Sequence, residues 1–423
     1  MKLVELKEKE FENFAYKNKE FSFHQTKEWA KLKACNGWKH LYLGLIDKEI
    51  EAATLILIKS TPIKKDIWYS PRGFLIDYDN KKLLQEFTEK IKEYAKHHNA
   101  FFIKIDPYLS YKERNINGDL VNGGKDNTKA VENLKSLGYK HYGFNKGTDK
   151  ELQPRWIYVL DIDGKSEDEI YKGFNSDTKR YINRCKTYGL ITEETKEDNI
   201  EDFVKIMEHT SKRRGFTDRP VSYYKEMLEN LKEHIKIISC YMDTKKALKD
   251  IKEKLDEIDK EKKEIEEKLK INPDSKKSKT AMKVITKRIE DINKRKEEIK
   301  KLEKENGNKI LMASSMFIIY PNEIIYLFSG SFDKHMKYNP QYLIQWEIIK
   351  YACEKKIPRY NFYGIDGDFS KDNPMYGVYE FKKGFGGKVV ELIGEFDLVI
   401  NKFDYDLYKA AFKIYRNIKR HKA

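Results

Sequence analysis

Cysteine is scarce in this chain. Only Cys35, Cys185, Cys240 and Cys353 occur in 423 residues, far apart and without a CxxC pair. That spacing argues against a disulfide scaffold and against a zinc ribbon. Long apolar runs are also missing. Stretches such as Thr54-Leu-Ile-Leu-Ile58 are short, and none approaches the 18 residues of a membrane-spanning helix. The N-terminus, Met1-Lys-Leu-Val-Glu-Leu-Lys-Glu8, is too charged for a secretory signal. These absences predict a chain of the reducing cytoplasm. There is no G-x-S-x-G elbow, no Walker loop and no H-E-x-x-H pair. No Q/R-x-x-G-x-G/A loop opens a helix to hold coenzyme A. Gly364-Ile-Asp-Gly-Asp-Phe369 lacks the remaining ligands of a calcium loop, so no metal and no cofactor is expected.

Charge, by contrast, is abundant. Charged residues make up 36% of the chain and hydrophobic ones 39%, with 84 Lys/Arg against 69 Asp/Glu and a net charge of +15. This balance favours an anionic partner: nucleic acid, a phosphorylated substrate or an acidic membrane surface. The length predicts two or three domains.

Residues 245–306 stand apart, with 22 Lys/Arg, 16 Asp/Glu and no aromatic residue. Leu248, Ile251, Leu255, Ile258, Ile265 and Leu269 follow a 3-then-4 spacing, Pro273 interrupts it, and Met282, Ile285, Ile289, Ile292, Ile299 and Leu302 resume it. Two apolar seams around a breaker predict an antiparallel helical hairpin. Its seam reads as self-contained, so the hairpin is expected to be dispensable for folding of the body. Strand patterns flank it at 234–241, 310–320 and 323–328, which places the insertion in a strand–strand loop.

The N-terminal region repeats this grammar. Strands are expected at 41–46, 50–58 and 67–69, a helix at 81–97 and a strand at 100–105. The second half offers helices at 198–209 and 340–355 and a strand at 359–363. The matching element order suggests a duplicated fold.

Several sequence words then become recognisable in order. They are Gln25-Thr-Lys-Glu-Trp-Ala-Lys-Leu-Lys33, Tyr69-Ser-Pro-Arg-Gly-Phe-Leu-Ile-Asp-Tyr78, Phe102-Ile-Lys-Ile-Asp-Pro107 and Gln153-Pro-Arg155. Further on come Arg219-Pro-Val-Ser-Tyr-Tyr224, Ser329-Gly-Ser331, Arg359-Tyr-Asn-Phe-Tyr-Gly-Ile-Asp-Gly-Asp-Phe369, Gly377-Val-Tyr-Glu-Phe-Lys-Lys-Gly-Phe385 and Ile393-Gly-Glu-Phe396. From about residue 20 to residue 400 the chain resembles the FemABX family of peptidoglycan cross-bridge aminoacyltransferases. The resemblance implies an α+β fold of two GNAT-like (acyl-CoA N-acyltransferase-like) domains with an inserted antiparallel coiled-coil arm. The expected division is 1–150 for the first domain, 151–244 plus 307–394 for the second and 245–306 for the arm. The segment 395–423 is expected to pack back on the first domain.

The resemblance also implies site residues. Lys382, in Phe381-Lys-Lys-Gly-Phe385, matches the family's Phe-Lys pair beside the reacting carbonyl and the 3′ end of the acceptor RNA, which makes it the oxyanion candidate. Without the resemblance it reads as one more surface lysine. Lys33 and Arg219 match the clamp on the precursor diphosphate, where Arg suits bidentate phosphate contact and Lys acts as a point charge. Lys31 is an alternative to Lys33, and Arg219 also reads as a helix N-terminal contact before Pro220. Tyr223 and Tyr326 fall where the family lines its peptide channel. Phe328 stands where a relative has a second tyrosine.

Asp106 offers a general base, or else an Asp-Pro pair that merely ends a strand. Lys179, Arg180 and Arg184, interleaved with Tyr171, Phe174 and Tyr181, read equally as an RNA-facing patch and as a solvated helix face.

The expected function is aminolysis of an aminoacyl-tRNA ester by a peptide amine of a muramyl-peptide precursor, lipid II or its nucleotide-linked form. The tRNA is a co-substrate and no further cofactor is implied. The expected location is the cytoplasm, in peripheral contact with the inner face of the plasma membrane, with homo- or hetero-oligomers of family members possible. A non-catalytic RNA-binding protein is the alternative from another class.

Overall fold

The computed structural model describes residues 1–147 and 153–421, with side chains described to residue 414. The boundary expected at residue 150 therefore lies outside the described residues, as do residues 422 and 423 of the expected C-terminal segment. Among the described residues no helix is long and apolar enough to cross a membrane.

In chain order the first half contains β1 (Lys2–Glu5), α1 (Glu8–Ala15), α2 (Lys27–Cys35), β2 (Lys39–Ile46), β3 (Ile50–Ser60), β4 (Asp66–Ser70), α3 (Lys81–His97), β5 (Ala100–Ile105), β6 (Ser110–Glu113), α4 (Thr128–Ser136) and β7 (Tyr139–His141). The second half opens with β8 (Trp156–Asp161), α5 (Glu167–Gly173), α6 (Ser176–Thr187), β9 (Leu190–Thr195), α7 (Ile200–Arg214), α8 (Val221–Leu231) and β10 (Ile235–Asp243). It continues with α9 (Thr244–Ile271), α10 (Lys276–Asn306), β11 (Lys309–Tyr320), β12 (Glu323–Ser331), α11 (Pro340–Glu354) and β13 (Arg359–Gly364). The chain closes with α12 (Tyr376–Lys383), β14 (Lys388–Leu392), β15 (Phe396–Val399) and α13 (Lys402–His421).

Two sheets result, in the orders β1-β2-β3-β4-β5-β15-β7 and β6-β14-β8-β13-β12-β11-β10-β9. Each holds one parallel pair, β4 with β5 and β12 with β13. A helix crosses over between the parallel strands in each, α3 in the first sheet and α11 in the second. The run β1-α1-α2-β2-β3-β4-α3-β5-α4-β7 is echoed by β9-α7-α8-β10-β11-β12-α11-β13-α12-β14. This is the duplicated GNAT-like α+β order that the sequence implied. The sheets also exchange strands: β6 from the first half pairs with β14, and β15 from the end of the chain lies between β5 and β7.

One apolar core fills the space between the sheets. It joins Phe11, Phe23, Trp29, Leu55 and Leu57 to Phe203, Tyr224, Met227, Ile237, Met316 and Ile318. The two repeats are therefore packed on each other through a largely apolar surface, crossed by buried polar contacts such as Tyr320 to Glu28 at 3.2 Å.

The hairpin α9–α10 leaves the sheet at Asp243, whose carboxylate caps α9 at the Lys246 N–H, and returns at Lys309, its cross-strand partner. Glu261 and Arg288 join the two legs at 3.0 Å. The expectation that the whole hairpin is separable from the body does not hold at its base. Ala247, Ile251 and Ile299 belong to the core of the second repeat. Glu298 accepts from the Tyr338 hydroxyl at 2.7 Å and from Lys337 at 2.5 Å. The body-proximal turns of both legs, the first of α9 and the last of α10, are thus part of the body, while Val284 and Ile271 near the far end are exposed.

Candidate functional site

Strand β13 ends in an irregularity. Its pairing with β8 shifts register between Asn361 and Tyr363, and Tyr363 sits at φ +64°. An aromatic residue in the left-handed region is disfavoured, and such outliers concentrate at functional sites. The Asn361 side-chain oxygen accepts the Tyr363 N–H at 2.8 Å, which stabilises the bend. β12 and β13 pair only through Ile324↔Tyr360 and Ile325↔Asn361. Beyond that point the two strands run on without pairing, so the second sheet is open where β13 ends.

Words far apart in sequence meet at this point. Gln25, fully buried, donates to the Pro71 carbonyl at 2.6 Å and accepts the Leu55 N–H at 2.8 Å. This fixes the turn carrying Arg72, whose N–H donates to Asp106 Oδ1 at 2.8 Å and whose guanidinium donates to the Pro154 carbonyl at 2.7 Å. The Tyr69 hydroxyl also donates to Asp106 Oδ1, at 3.1 Å. The Tyr363 hydroxyl binds the Gln153 side chain. Nearby, Glu323 is buried and accepts from Tyr108 at 2.9 Å and from Asn361 at 3.1 Å. A buried polar network therefore spans both repeats, and a network of this kind fixes side-chain positions only when its members are mutually satisfied. Asp106 Oδ2 and Glu323 Oε1 have no hydrogen-bond partner, although Asp106 Oδ2 is ion-paired with Arg72 at 3.6 Å.

Burial pushes the Asp106 carboxyl up to about 6, against the opposing pull of Arg72. His24 is held well below its usual range by burial, with the fields of Arg72 and Lys33 adding to it. It is neutral at physiological pH.

Near this network lie Lys33, Arg219 and Tyr223, since His24 feels the Lys33 charge. Thr26 caps α2 at the Trp29 N–H, and Trp29 and Lys33 then share a helix face. Lys33 Nζ stands 4.2 Å from the Trp29 ring centroid and 5.8 Å from that of Tyr223. Arg219 stands 5.5 Å from the same tyrosine ring. Among the described residues, neither cation forms an ion pair with a carboxylate. Burial and the Arg219 charge lower Lys33 to about 8. Lys31, the alternative to Lys33, is instead paired with Glu8 at 3.4 Å. Arg219 directly precedes Pro220 and α8, Asp218 accepts its N–H, and its guanidinium lies over the ring of Tyr223 in the first turn of that helix.

Lys382 lies in the last turn of α12 and is only 5% exposed. Its ammonium donates to the Gly364 carbonyl at 2.5 Å, one residue beyond Tyr363. Burial alone lowers it to about 7, and no carboxylate opposes the shift. Phe381 packs on Tyr342 at 4.9 Å, and Tyr342 packs on Tyr181 of α6 at 4.9 Å. The Asn175 N–H that opens α6 donates to the Gly384 carbonyl at 2.9 Å. The basic helix α6 therefore borders the Lys382 turn. Of its cations, Lys179 is tied to the Lys172 carbonyl, Arg180 pairs with Asp177, and Arg184 lies 5.6 Å from the Tyr188 ring centroid.

Tyr326 is not brought to Tyr223. It lies in the core of the second repeat, with its hydroxyl donating to Gln341 at 3.2 Å, while Tyr223 belongs to the core between the sheets. Burial raises Tyr326 to about 12. The sequence reading missed Arg72, Tyr363, His24 and Glu323 as site residues. Arg72, Gln153 and Tyr363 stood inside words already quoted, but nothing in their local spacing showed that they meet.

The FemAB family model matches residues 6–413. The chain belongs to the FemAB family. It is 31% identical to the aminoacyltransferase FemA of Staphylococcus epidermidis over 417 residues, covering 98% of this chain and 100% of that protein. The FemA of a Staphylococcus aureus strain is 31% identical over 416 residues, 98% and 99% of the two chains. The crystal structure of FemX superposes with a TM-score of 0.81 at 28% identity, over 96% of this chain and 99% of that one. This FemAB member thus shares both fold and full length with proteins of that family.

Proposed function

We propose that this protein transfers an amino acid from aminoacyl-tRNA to the amine of a peptidoglycan precursor, with lipid II as the acceptor. Its coarse part, an aminoacyltransferase of peptidoglycan synthesis, rests on family membership and on the activity in the relatives' names. The finer part rests on one observation. Cations without carboxylate partners, Arg219 over Tyr223 and Lys382 at the Gly364 carbonyl, accompany a buried carboxyl, Asp106, whose Oδ2 accepts no hydrogen bond and faces Arg72 at 3.6 Å.

An ester aminolysis needs little more. The amine nitrogen attacks the ester carbonyl, the C–N bond forms, and the C–O bond to the ribose breaks. The proton leaves the amine for Asp106 Oδ2 or for the departing ribose oxygen. Asp106 at about 6 is mostly ionised at neutral pH, so it is competent to accept that proton. Lys33 and Arg219 grip the precursor diphosphate, and Tyr223 positions it. Lys382 faces the developing oxyanion in a dry environment, where one charge acts more strongly than in water. Phe381, Lys179, Arg180 and Arg184 line the RNA side, and Tyr326, hydrogen-bonded to Gln341, borders the acceptor channel.

The test is steady-state transfer of a labelled amino acid from charged tRNA to lipid II. Transfer must require both substrates and must fall in Lys382→Met. A chain that binds tRNA but transfers nothing to any muramyl peptide would overturn the reading.

A further inference from the structure

Helix α13 carries apolar residues on two faces, and only one of them is used. Tyr405 packs on Phe102 at 5.3 Å, and Tyr408 packs on Phe101 at 5.4 Å and on Phe412 at 5.8 Å. Asp397 locks the same face by accepting from Tyr405 at 3.0 Å and pairing with Lys409 at 3.0 Å. On the other face Phe403, Leu407 and Ile414 are 76%, 49% and 61% exposed. At 3.6 residues per turn these three and Ala410 fall within about 60° of one another, roughly opposite Tyr405, Tyr408 and Phe412. Folding alone requires one apolar stripe on a surface helix, not two. Nothing among the described residues covers the second.

Charge selects what would cover it. Lys402 and Lys413 are both exposed and border the stripe on one side. From Leu407 to the end the sequence holds six Lys/Arg and no Asp or Glu. Of the two acids in the first turns, Asp406 pairs with Lys402 at 2.5 Å, which leaves Lys413 as the unpaired cation of that flank among the described side chains. An apolar stripe of Phe403, Leu407, Ala410 and Ile414 beside a basic flank is the pattern of a helix lying in a bilayer interface, with its apolar face among the acyl chains and its cations at anionic headgroups.

We propose that the Phe403–Leu407–Ile414 face of α13 docks the protein on an anionic lipid bilayer. The proposal deepens the function given above, because it assigns the surface that holds the enzyme beside a lipid-linked acceptor. Phe102, Lys104 and Asp106 alternate onto one face at the end of β5, so α13 is laid along the same sheet face that presents Asp106.

The experiment is co-sedimentation of the full chain with vesicles of phosphatidylglycerol and phosphatidylcholine, compared with phosphatidylcholine alone. The wild type should bind the anionic vesicles, and binding should weaken as salt rises. The combined variant Phe403→Ser, Leu407→Ser, Ile414→Ser should bind at least tenfold more weakly with unchanged thermal unfolding. Lys413→Glu should give a smaller loss. Equal binding by wild type and triple variant, or no binding by the wild type, overturns the proposal. So does a dimer that the triple variant dissolves, or a tenfold loss of tRNA affinity, since either assigns the face to another occupant. Transfer to a soluble nucleotide-linked muramyl peptide separates the two readings. The triple variant should retain that transfer. Its absence in the wild type would remove the proposed function without touching the vesicle result.

Discussion

Lys33 and Lys382 are both shifted by burial, yet their surroundings differ in kind. Lys33 has company: an arginine, the Trp29 face and the Tyr223 face, with solvent still reaching part of the side chain. Lys382 has one backbone carbonyl and no counter-charge. Two adjacent cations cushioned by ring faces suit a multiply charged anion that arrives and leaves intact, such as a diphosphate. A single desolvated ammonium suits a charge that exists only briefly, because a permanent anion would have to be stripped of water to reach it. The first arrangement serves binding and the second serves the transition state.

The largest expected effect follows from that difference. Lys382→Met should lower turnover about 10²–10³-fold while acceptor affinity stays nearly constant, as for loss of one oxyanion donor. Steady-state transfer assays at saturating tRNA and varied acceptor measure both. Arg219→Ala should do the reverse, raising the acceptor KM about tenfold or more with turnover little changed, since the diphosphate is held equally before and during reaction. Swapped signatures would show that the cleft is right and the two roles are inverted.

A third test uses pH. Asp106 must be ionised to take a proton, and its carboxyl lies at about 6. Lys382 must be protonated to meet an oxyanion, and its ammonium lies at about 7. The kcat/KM profile should therefore fall about tenfold per pH unit below Asp106 and again above Lys382, with a narrow maximum between them. Asp106→Asn should flatten the acid limb. Lys382→Arg should flatten the alkaline limb, because the guanidinium stays charged. A profile level from pH 5 to 9 would detach both groups from the chemistry.

Local patterns made much of the fold legible. The apolar seams of 248–302 became α9 and α10, with Pro273 in the turn between them, and the expected strands and helices lie within a few residues of those observed. The pairing of β6 with β14 was not legible, because a four-residue strand carries no register information until a partner edge exists; the return of 395–423 to the first domain was expected, but not its entry into the sheet as β15 between β5 and β7. The base of the hairpin was misjudged for a related reason: Ala247, Ile251 and Ile299 fit the seam of an isolated hairpin and a contact with the body equally well. In the site, the resemblance named Lys33, Arg219 and Lys382 one residue at a time. The Arg72–Asp106–Tyr69 cluster and its Gln153–Tyr363 neighbour draw on segments hundreds of residues apart, so only the fold assembles them.

The last test needs no substrate, and its Lys33 arm carries the smallest effect expected. Lys382 ionises at about 7 when folded and at its ordinary 10.5 when unfolded. Between those values the unfolded chain holds a proton that the folded chain lacks, so stability falls as pH drops from 10.5 to 7 and then levels off. Lys382→Met removes this penalty and should stabilise the protein by on the order of 4 kcal/mol at pH 7, with the gain shrinking as pH rises toward 10. Lys33 is shifted in the same direction, to about 8, but it is partly exposed and its shift is screened by solvent. Its stem also packs on Trp29, and Met at that position keeps the packing while losing the ammonium–ring contact, about 0.5–1 kcal/mol. The two terms oppose each other, so Lys33→Met should change stability by less than about 1 kcal/mol at any pH. Thermal unfolding of both variants at pH 7 and pH 9 is the measurement. A large pH-dependent gain in Lys33→Met, matching that of Lys382→Met, would mean that the two lysines are buried alike and that the division between a binding end and a reacting end has no electrostatic basis.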